Sequence, residues 1–227
     1  MTPPPPNNKS QRDSFLEGEG DAWFKRNKQI NVGDLETWQA GDPLIPLLLP
    51  IPLLNTSESL AVEVGCGQGL RLAALHKLRN WNVKGIDPSS DAVKAAVSLG
   101  VEAVVGTAEQ LPFADKSVDL LIFGFCLYLC DRSDLFQIAA EADRVLKPNS
   151  WLAILDFWSP EPKVNPYHHL SGIYSYKTDL TKMFTWHPSY ILNDHRLFHH
   201  SSRQLTDDSS EWIASTLLRR CDRPIPL

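Results

Sequence analysis

The central part of the chain alternates short apolar runs with stretches in which apolar residues recur at helical spacing. LAVEV (60–64) and NVKGID (82–87) are typical of buried strands, and LRLAALHKLRN between them has the pattern of an amphipathic helix. Further strands are predicted at VEAVV, SVDLLIFGF and WLAILDFW. They alternate with the helical segments SDAVKAAVSLG and DLFQIAAEADRVLK, the second of which is expected to end at Pro148 and Asn149. This alternation indicates crossover units and a mainly parallel sheet.

The C-terminal part of the chain breaks the alternation. YILNDHRLFHH and EWIASTLLRR both have strand character, and only the turn-like SSRQLTDDSS separates them. Two adjacent strands without an intervening helix predict an antiparallel hairpin at the end of the sheet. The expected fold is therefore α/β, a Rossmann-like, mainly parallel sheet of seven strands with an antiparallel last strand and helices on both faces.

Three regions are predicted along the chain. Residues 1–10 begin with TPPPPNN, a proline-rich tail that is expected to be disordered. Residues 11–59 are expected to form a helical lid or connector, because SFLEGEGDAWFKRN mixes aromatic and charged residues; a helix that merely packs on the domain is the alternative. Residues 60–227 form the predicted α/β domain, with a substrate insert at about 159–188 beside the carboxyl edge of the sheet.

Composition and charge narrow the classes of function. A length of 227 residues fits one domain, and 43% hydrophobic with 22% charged residues is typical of soluble globular proteins. The net charge of −5 lacks the basic excess that a phosphate backbone requires, so no nucleic-acid partner is expected. PLIPLLLPIPLL (43–54) is too short to span a membrane and four prolines interrupt it, and no signal peptide is recognisable.

The cysteine and histidine pattern gives no sign of a metal centre. The four cysteines form no CxxC pair, which indicates reduced thiols and a cytoplasmic protein. No cluster of potential ligands has metal-binding spacing. A small-molecule substrate is therefore expected, with neither metal nor membrane, and the oligomeric state stays open.

The stretch VEVGCGQGLR places three glycines, Gly65, Gly67 and Gly69, at the end of the first strand. Ligands of open α/β sheets bind beyond the carboxyl ends of the strands, and such a turn exposes main chain and the free N–H groups of the next helix. The spacing GxGxG differs from the GxGxxG of dinucleotide-binding folds, and no Gly-Lys-Ser/Thr follows, as a phosphate loop would require. A structural turn without a ligand is the alternative.

Asp87, at the end of the second strand, is expected beside the glycine turn. Its carboxylate can accept hydrogen bonds from both hydroxyls of a ribose. Capping of the next helix is the alternative role, but Ser89 and Ser90 can provide that cap. A ribose contact without a phosphate loop indicates a nucleoside ligand.

Four segments within residues 60–158 resemble, in order, the successive motifs of class I S-adenosylmethionine-dependent methyltransferases of the type 11 kind. They are EVGCGQG, GIDPS, GTAEQLPFADKSVDLLIFGF and DRVLKPNSWLAILDF. The resemblance implies that fold, S-adenosyl-L-methionine as cofactor and S-adenosyl-L-homocysteine as product. FLEGEGDAWFKRN and YSYKTDLTKMFTWHP are more loosely similar to methyltransferases of nucleotide-sugar, surface-glycan and secondary-metabolite pathways. Transfer to an oxygen or nitrogen of a small polar metabolite is therefore expected.

The resemblance also implies roles for individual residues. The glycines lie against the methionine part of the cofactor, Glu63 supports the loop and the amino group, and Asp87 holds the ribose. Many members have an aspartate where this chain has Thr107, so the Ala108 backbone or the Glu109 side chain is expected to meet the adenine. The predicted cofactor-binding residues are Trp23, Arg26, Glu63, Gly65, Cys66, Gly67, Gly69, Asp87, Pro88, Thr107, Ala108, Glu109 and Phe125.

The chemistry of methyl transfer suggests further candidates. Aromatic faces stabilise a sulfonium cation, and the candidates for this role, with core packing as the alternative for each, are Phe15, Trp23, Phe24, Phe125 and Tyr128. Arg26 is expected to meet the cofactor's carboxylate. His168 and His169, in the insert, are the predicted bases, with Tyr128 as the third catalytic candidate and Tyr174, Tyr176 and Lys177 as binding groups; a solvated loop is the alternative for the histidines.

Two other functions compete with methyl transfer. A methyltransferase-like protein that binds the cofactor without catalysis is one, since no unmistakable base is present. A nicotinamide-dependent oxidoreductase is the other, and the glycine spacing counts against it.

Overall fold

A seven-stranded sheet organises the residues that the computed structural model describes, which are 9–28, 35–53 and 56–222. Most of the predicted disordered tail, residues 1–8, lies outside the described residues. The sheet strands are β1 (Leu60–Val64), β2 (Asn82–Asp87), β3 (Glu102–Val105), β4 (Val118–Gly124), β5 (Leu146–Phe157), β8 (Tyr190–His199) and β9 (Trp212–Arg220). Their order is β3-β2-β1-β4-β5-β9-β8, and β9 runs antiparallel to both of its neighbours. The predicted fold is confirmed.

Helices cover both faces of this sheet. They are α1 (Gln11–Ser14), α2 (Gly20–Asn27), α3 (Leu35–Gly41), α4 (Ile45–Leu48), α5 (Leu70–Arg79), α6 (Ser90–Ser98), α7 (Leu135–Val145) and α8 (Lys182–Thr185), with a π-helical turn at Phe15–Glu19 and 3-10 turns at Leu127–Leu129 and Arg132–Asp134. The central strand β4 is apolar on both faces, as expected of a strand between two helical layers. Its Leu120 and Ile122 join the core under α4 and α5, and Leu121 and Phe123 join the core under α7.

Strand β5 begins earlier than the sequence predicts. Leu146 already pairs with Val118, and the register then shifts so that Trp151 pairs with Leu120. Pro148 and Asn149 therefore lie in an irregular stretch within the strand instead of ending helix α7. A β-bulge accommodates the extra residues of β5, so β5 follows α7 directly, without a loop between them.

The apolar stretch 43–54 is part of the core. Leu44 and Leu48 are fully buried under the sheet, on the same face as α5. None of the helices in the described ranges has the length and apolar character needed to cross a membrane.

The predicted insert, about 159–188, contains a separate two-stranded hairpin, β6 (Lys163–Pro166) and β7 (Tyr174–Lys177), followed by α8. The hairpin is tied to the N-terminal segment through Gln11. The Gln11 side chain accepts a hydrogen bond from the Tyr174 N–H at 2.7 Å and donates one to the Leu129 carbonyl oxygen at 2.6 Å. Helix α1 is thereby held between the insert and the turn after β4.

Candidate functional site

A cavity of about 250 Å³ lies at the carboxyl ends of β1, β2 and β4. This is the edge of an open α/β sheet at which ligands bind. The predicted cofactor-binding residues that line the cavity are Trp23, Glu63, Gly65, Cys66, Gly67, Asp87, Pro88, Thr107, Ala108, Glu109 and Phe125. Two predicted residues, Arg26 and Gly69, do not line it.

The glycine turn between β1 and α5 forms one wall of the cavity. Gly65 has a φ of 75°, and a Cβ there would lie 2.7 Å from the Gly124 carbonyl oxygen, so no larger side chain fits. Nothing lies within 4 Å of a Cβ built on Gly67, which leaves main chain open to a ligand. A Cβ on Gly69 would lie 3.0 Å from the Ala96 Cβ. Gly69 therefore packs α5 against α6, and its expected contact with the methionine part of the cofactor stays a prediction.

Asp87 holds the glycine turn in place. Its Oδ2 accepts a hydrogen bond from the Gly67 N–H, and its Oδ1 accepts one from the Ser89 N–H, both at 2.9 Å. Ser89 itself caps α6, because its hydroxyl accepts a hydrogen bond from the Ala92 N–H at 3.0 Å. Burial raises the pKa of Asp87 to about 6, although the two N–H donors oppose this. Each carboxylate oxygen keeps a lone pair for a ligand.

A buried charge cluster supports the turn from behind. Arg71, in the first turn of α5, forms ion pairs with Glu63 and with Asp42, whose Oδ2 lies 2.7 Å from the Arg71 Nη2. One guanidinium thus serves two carboxylates, and burial raises the pKa of Glu63 to about 7 despite the arginine. The Glu63 Oε2 is buried and has no hydrogen-bond partner among the described residues. A donor from a ligand would satisfy it.

The segment after β3 lines the cavity on the far side of β2. Thr107, Ala108 and Glu109 all contribute to this wall. The Glu109 side chain is buried, and its Oε2 also has no hydrogen-bond partner within the part of the chain that the structure describes. A buried carboxylate oxygen without a donor is costly, by about 1–3 kcal/mol or more. Glu109 is therefore a second position at which a ligand donor would be stabilising.

The N-terminal segment contributes to the cavity wall. Phe15 and Trp23 line the cavity. Asp21 fixes α2 to the start of α6, because its Oδ1 accepts hydrogen bonds from the Ser89 hydroxyl at 2.7 Å and from the Asp91 N–H at 3.0 Å. These bonds lower the pKa of Asp21. Helix α2 is thus attached to the segment that directly follows Asp87.

Phe125 forms the wall after β4. It has a φ of 50°, an uncommon conformation for a residue with a side chain, and its ring packs against Phe157 with centroids 5.6 Å apart. Asp156 positions the turn that follows, accepting hydrogen bonds from the N–H groups of Leu127 and Tyr128 at 2.9 and 3.3 Å. Burial raises the pKa of Asp156 to about 7. These contacts determine the orientation of the Phe125 ring toward the cavity.

The predicted catalytic residues do not reach the cavity. Tyr128 is buried behind the wall, with its ring edge-on to Phe157 at 5.0 Å, and burial raises its pKa, so that the phenol stays protonated at neutral pH. His168 and His169 are exposed in the turn between β6 and β7. The His169 ring packs edge-on against Tyr167, with centroids 5.4 Å apart, and the Tyr167 ring lies 6.2 Å from that of Phe15, which lines the cavity. None of the three predicted residues lines the cavity itself, and their catalytic role stays a prediction.

Arg26 is engaged elsewhere. It forms an ion pair with Glu19, and its Nη2 donates a hydrogen bond to the Tyr167 hydroxyl at 2.9 Å. The Tyr167 hydroxyl in turn donates to Glu19 at 2.7 Å. The expectation that Arg26 meets the cofactor's carboxylate is thus not supported, since these contacts use Arg26 to bind α2 to the insert.

Asp42 and Arg71 support the site, although the sequence pattern did not predict either residue. Arg71 directly follows the glycine turn, but nothing local shows that its side chain turns inward. Asp42 precedes Pro43 and accepts hydrogen bonds from the N–H groups of Leu44 and Ile45 at 2.9 and 3.0 Å. An aspartate before proline is a recognisable signal for the start of a helix, and this signal was available. No group of three or more metal-ligating side chains occurs in the described ranges.

Comparison with known proteins gives a consistent result. Residues 62–154 match the sequence family described as a methyltransferase domain. The chain is 35% identical over 112 residues to the ubiquinone/menaquinone biosynthesis C-methyltransferase UbiE of Rubrivivax gelatinosus, covering 48% of this chain and 43% of that protein. It is 34% identical over 109 residues to the malonyl-[acyl-carrier protein] O-methyltransferase of Methylococcus capsulatus, covering 48% and 32%. The chain spans about half the length of the curated relatives that it matches.

The fold agrees with a solved structure over nearly the whole chain. Geranyl diphosphate C-methyltransferase from Streptomyces coelicolor, in complex with Mg²⁺, geranyl diphosphate and S-adenosyl-L-homocysteine, superposes with a TM-score of 0.64 at 11% identity, covering 95% of this chain and 100% of that one. Motif order, family match and sheet topology agree. Residues 62–154 of this chain therefore resemble a methyltransferase domain, and the fold is similar to that of this solved methyltransferase.

Proposed function

We propose that this protein binds S-adenosyl-L-methionine in the cavity and transfers its methyl group to a small-molecule acceptor, leaving S-adenosyl-L-homocysteine. The observation that carries the proposal is the row of acids along the strand ends, with Glu63 near the end of β1, Asp87 at the end of β2 and Glu109 in the segment after β3. Their spacing along the sheet edge suits the three donor groups of the cofactor. These are the amino group at Glu63, the ribose hydroxyls at Asp87 and the adenine amine at Glu109.

The electrostatics of the row favour a cationic ligand. Glu63 and Asp87 have pKa values of about 7 and about 6, raised mainly by burial. An ammonium group beside Glu63 would lower its pKa and stabilise the charged form. The orphaned Oε2 atoms of Glu63 and Glu109 would each gain a donor. The residues present therefore fit the cofactor.

The protein's own contribution to the reaction is orientation and exclusion of water. When bound, the cofactor supplies an activated methyl group on a sulfonium. The rings of Phe15, Trp23 and Phe125 line the cavity and present faces that stabilise a cation by roughly 0.5–2 kcal/mol each. By covering the cavity, α2 excludes water, and the acceptor is held in line with the methyl group.

The acceptor is proposed to be a small polar metabolite, methylated at oxygen or nitrogen. In the described part of the chain no histidine lines the cavity. An acceptor atom that is already deprotonated in solution needs no base and suits this wall best. The relatives that the chain resembles include both C- and O-methyltransferases, so carbon is the alternative acceptor atom. We also propose a cytoplasmic protein, in agreement with four free cysteines.

The non-catalytic cofactor-binding protein and the nicotinamide-dependent enzyme are the competing functions. Calorimetric titration with S-adenosyl-L-methionine, S-adenosyl-L-homocysteine and NADH separates the cofactors, and binding of NADH alone would overturn the proposal. Release of S-adenosyl-L-homocysteine with a panel of sugars, amino sugars and carboxylic acids then separates an enzyme from a binder. A binder takes up the cofactor but gives no product with any acceptor.

A matched pair of variants locates the cofactor in the cavity. Glu109→Gln removes the carboxylate proposed to meet the adenine, and Glu102→Gln removes an equal charge from the exposed start of β3. We expect weaker binding of S-adenosyl-L-homocysteine for the first variant only, because a charge-assisted hydrogen bond contributes about 1.5–3 kcal/mol. Equal affinity of both variants would place the adenine elsewhere.

A further inference from the structure

Two cations lie against the aromatic pair that ends β4 and β5. The Arg203 guanidinium carbon lies 5.8 Å from the centre of the Phe125 ring, and the Lys177 Nζ lies 4.8 Å from the centre of the Phe157 ring. The two rings are 5.6 Å apart, and Phe125 also lines the cavity. Lys177 ends β7 and Arg203 lies in the turn after β8, so two separate segments bring positive charge to the aromatic pair beside the proposed methyl-transfer site.

Arg203 has no partner of its own among the described residues. It forms no ion pair, and its Nη1 is buried without a hydrogen-bond acceptor. Burial lowers the pKa of Arg203, and the charge of Arg71 lowers it further. The charge of Asp42 raises this pKa, but Asp42 is already paired with Arg71. An arginine that is half-buried and unpaired is unfavourable unless an anion reaches it.

The acids near Lys177 do not neutralise this cluster. Glu211 lies 3.0 Å from the His200 Nδ1, and Asp208 accepts hydrogen bonds within its own turn from Ser210. Lys177 donates a hydrogen bond to the Ser210 carbonyl oxygen at 2.7 Å, and burial lowers its pKa. The Lys177 ammonium thus keeps donors for a further acceptor.

We propose that Arg203 and Lys177 form an anion-binding site beside Phe125, which takes the carboxylate or phosphate group of the methyl acceptor. This inference rests on the proposed function and narrows it, because it selects anionic acceptors from among small polar metabolites. The two phenylalanine rings add an apolar surface between the cations, suited to an acceptor with an apolar body. A carboxylate can also come from the methionine part of the cofactor, and the test separates the two sources.

The test compares Arg203→Gln with Arg196→Gln. Arg196 lies on the neighbouring β8, is exposed and pairs with Asp194, so its loss gives the same change in net charge away from the cluster. Benzoate and inorganic phosphate serve as probes, titrated in the presence and absence of S-adenosyl-L-homocysteine with sodium chloride as the ionic-strength control. Lys177→Gln tests the second cation. Circular dichroism confirms that each variant is folded.

The expected result is that Arg203→Gln weakens binding of benzoate or phosphate by about tenfold or more, and that Arg196→Gln does not. Unchanged affinity for S-adenosyl-L-homocysteine then assigns the site to the acceptor. If instead Arg203→Gln weakens S-adenosyl-L-homocysteine but not 5′-methylthioadenosine, which lacks the amino-acid part, Arg203 binds the cofactor's carboxylate and the acceptor assignment is overturned.

Equal binding of every probe by wild type and Arg203→Gln overturns the anion site altogether. Failure of the wild type to bind S-adenosyl-L-homocysteine is a different outcome, because it overturns the proposed function. The titrations without that ligand still decide whether Arg203 binds an anion.

Discussion

Asp87→Asn is expected to weaken the binding of S-adenosyl-L-homocysteine by one to two orders of magnitude. In the structure the Asp87 oxygens each accept one backbone N–H, at 2.9 Å, and each has a lone pair left for a ribose hydroxyl. Asparagine keeps one acceptor and replaces the other by a donor. One charge-assisted hydrogen bond is thereby lost, which contributes about 1.5–3 kcal/mol, or about tenfold to 150-fold in affinity.

The assay is calorimetric titration with a pair of ligands that isolates the ribose. Adenosine and 2′,3′-dideoxyadenosine differ only in the two hydroxyls that Asp87 is proposed to hold. Wild type should prefer adenosine, and Asp87→Asn should lose most of that preference. Asp91→Asn is the matched control, because Asp91 lies four residues further along, outside the cavity, and its loss changes the net charge equally.

Two results would refute this reasoning. Wild type that binds both nucleosides equally would show that no residue holds the ribose hydroxyls. A variant that keeps the full preference for adenosine would show that a residue other than Asp87 holds them. Because Asp87 also holds Gly67, the variant's thermal unfolding is measured alongside, and a loss of affinity that is equal for both nucleosides indicates displacement of the glycine turn.

Three further predictions concern the buried charges. Affinity for S-adenosyl-L-homocysteine should fall about tenfold from about pH 7.5 to about pH 6, because Glu63, whose pKa is about 7, loses its charge; calorimetry that gives a flat profile contradicts this. The second prediction concerns the protein without ligand. Because the pKa values of Glu63, Asp87 and Asp156 are raised in the folded state, that state binds more protons than the unfolded chain. The free energy of unfolding should therefore fall as pH rises from about 4 to about 7. Arg71→Met leaves two buried carboxylates without a counter-ion, so it should lower the free energy of unfolding in urea by about 3–5 kcal/mol. The control Arg196→Met removes an exposed arginine and should lower it by about 1 kcal/mol or less. Equal losses for the two variants would contradict the role of Arg71.

The parts of the site that could be predicted are those that depend on residues adjacent in the sequence. Gly65 is constrained by the turn that it makes, and Asp87 by the end of its own strand. The parallel topology then brings β1 and β2 side by side, in the observed register from Leu60 with Asn82 to Val64 with Ile86. Local pattern and topology together therefore suffice to predict the glycine turn and the place of Asp87 beside it.

The remaining parts depend on contacts between distant segments, which periodicity does not encode. Asp42 reaches Arg71 across 29 residues of chain. The position of His168 depends on whether the β6–β7 hairpin joins the main sheet, and it does not. Arg203 lies in a turn with no motif, and only the fold shows that its guanidinium reaches Phe125.

The charges around Phe125 bear on how the reaction would proceed. Acids at Glu63 and Asp87 line the cavity on the β1–β2 side, and the Arg203 guanidinium lies over the Phe125 ring. In the proposed complex a sulfonium and an anionic acceptor meet at this ring, and methyl transfer to the anion cancels both charges. Water stabilises separated charges more than their neutral products, so a covered site lowers the barrier for this reaction in particular. The proposed exclusion of water by α2 and the proposed anionic acceptor thus support each other, because the same exclusion of water would give no such advantage to a neutral acceptor, whose reaction conserves charge.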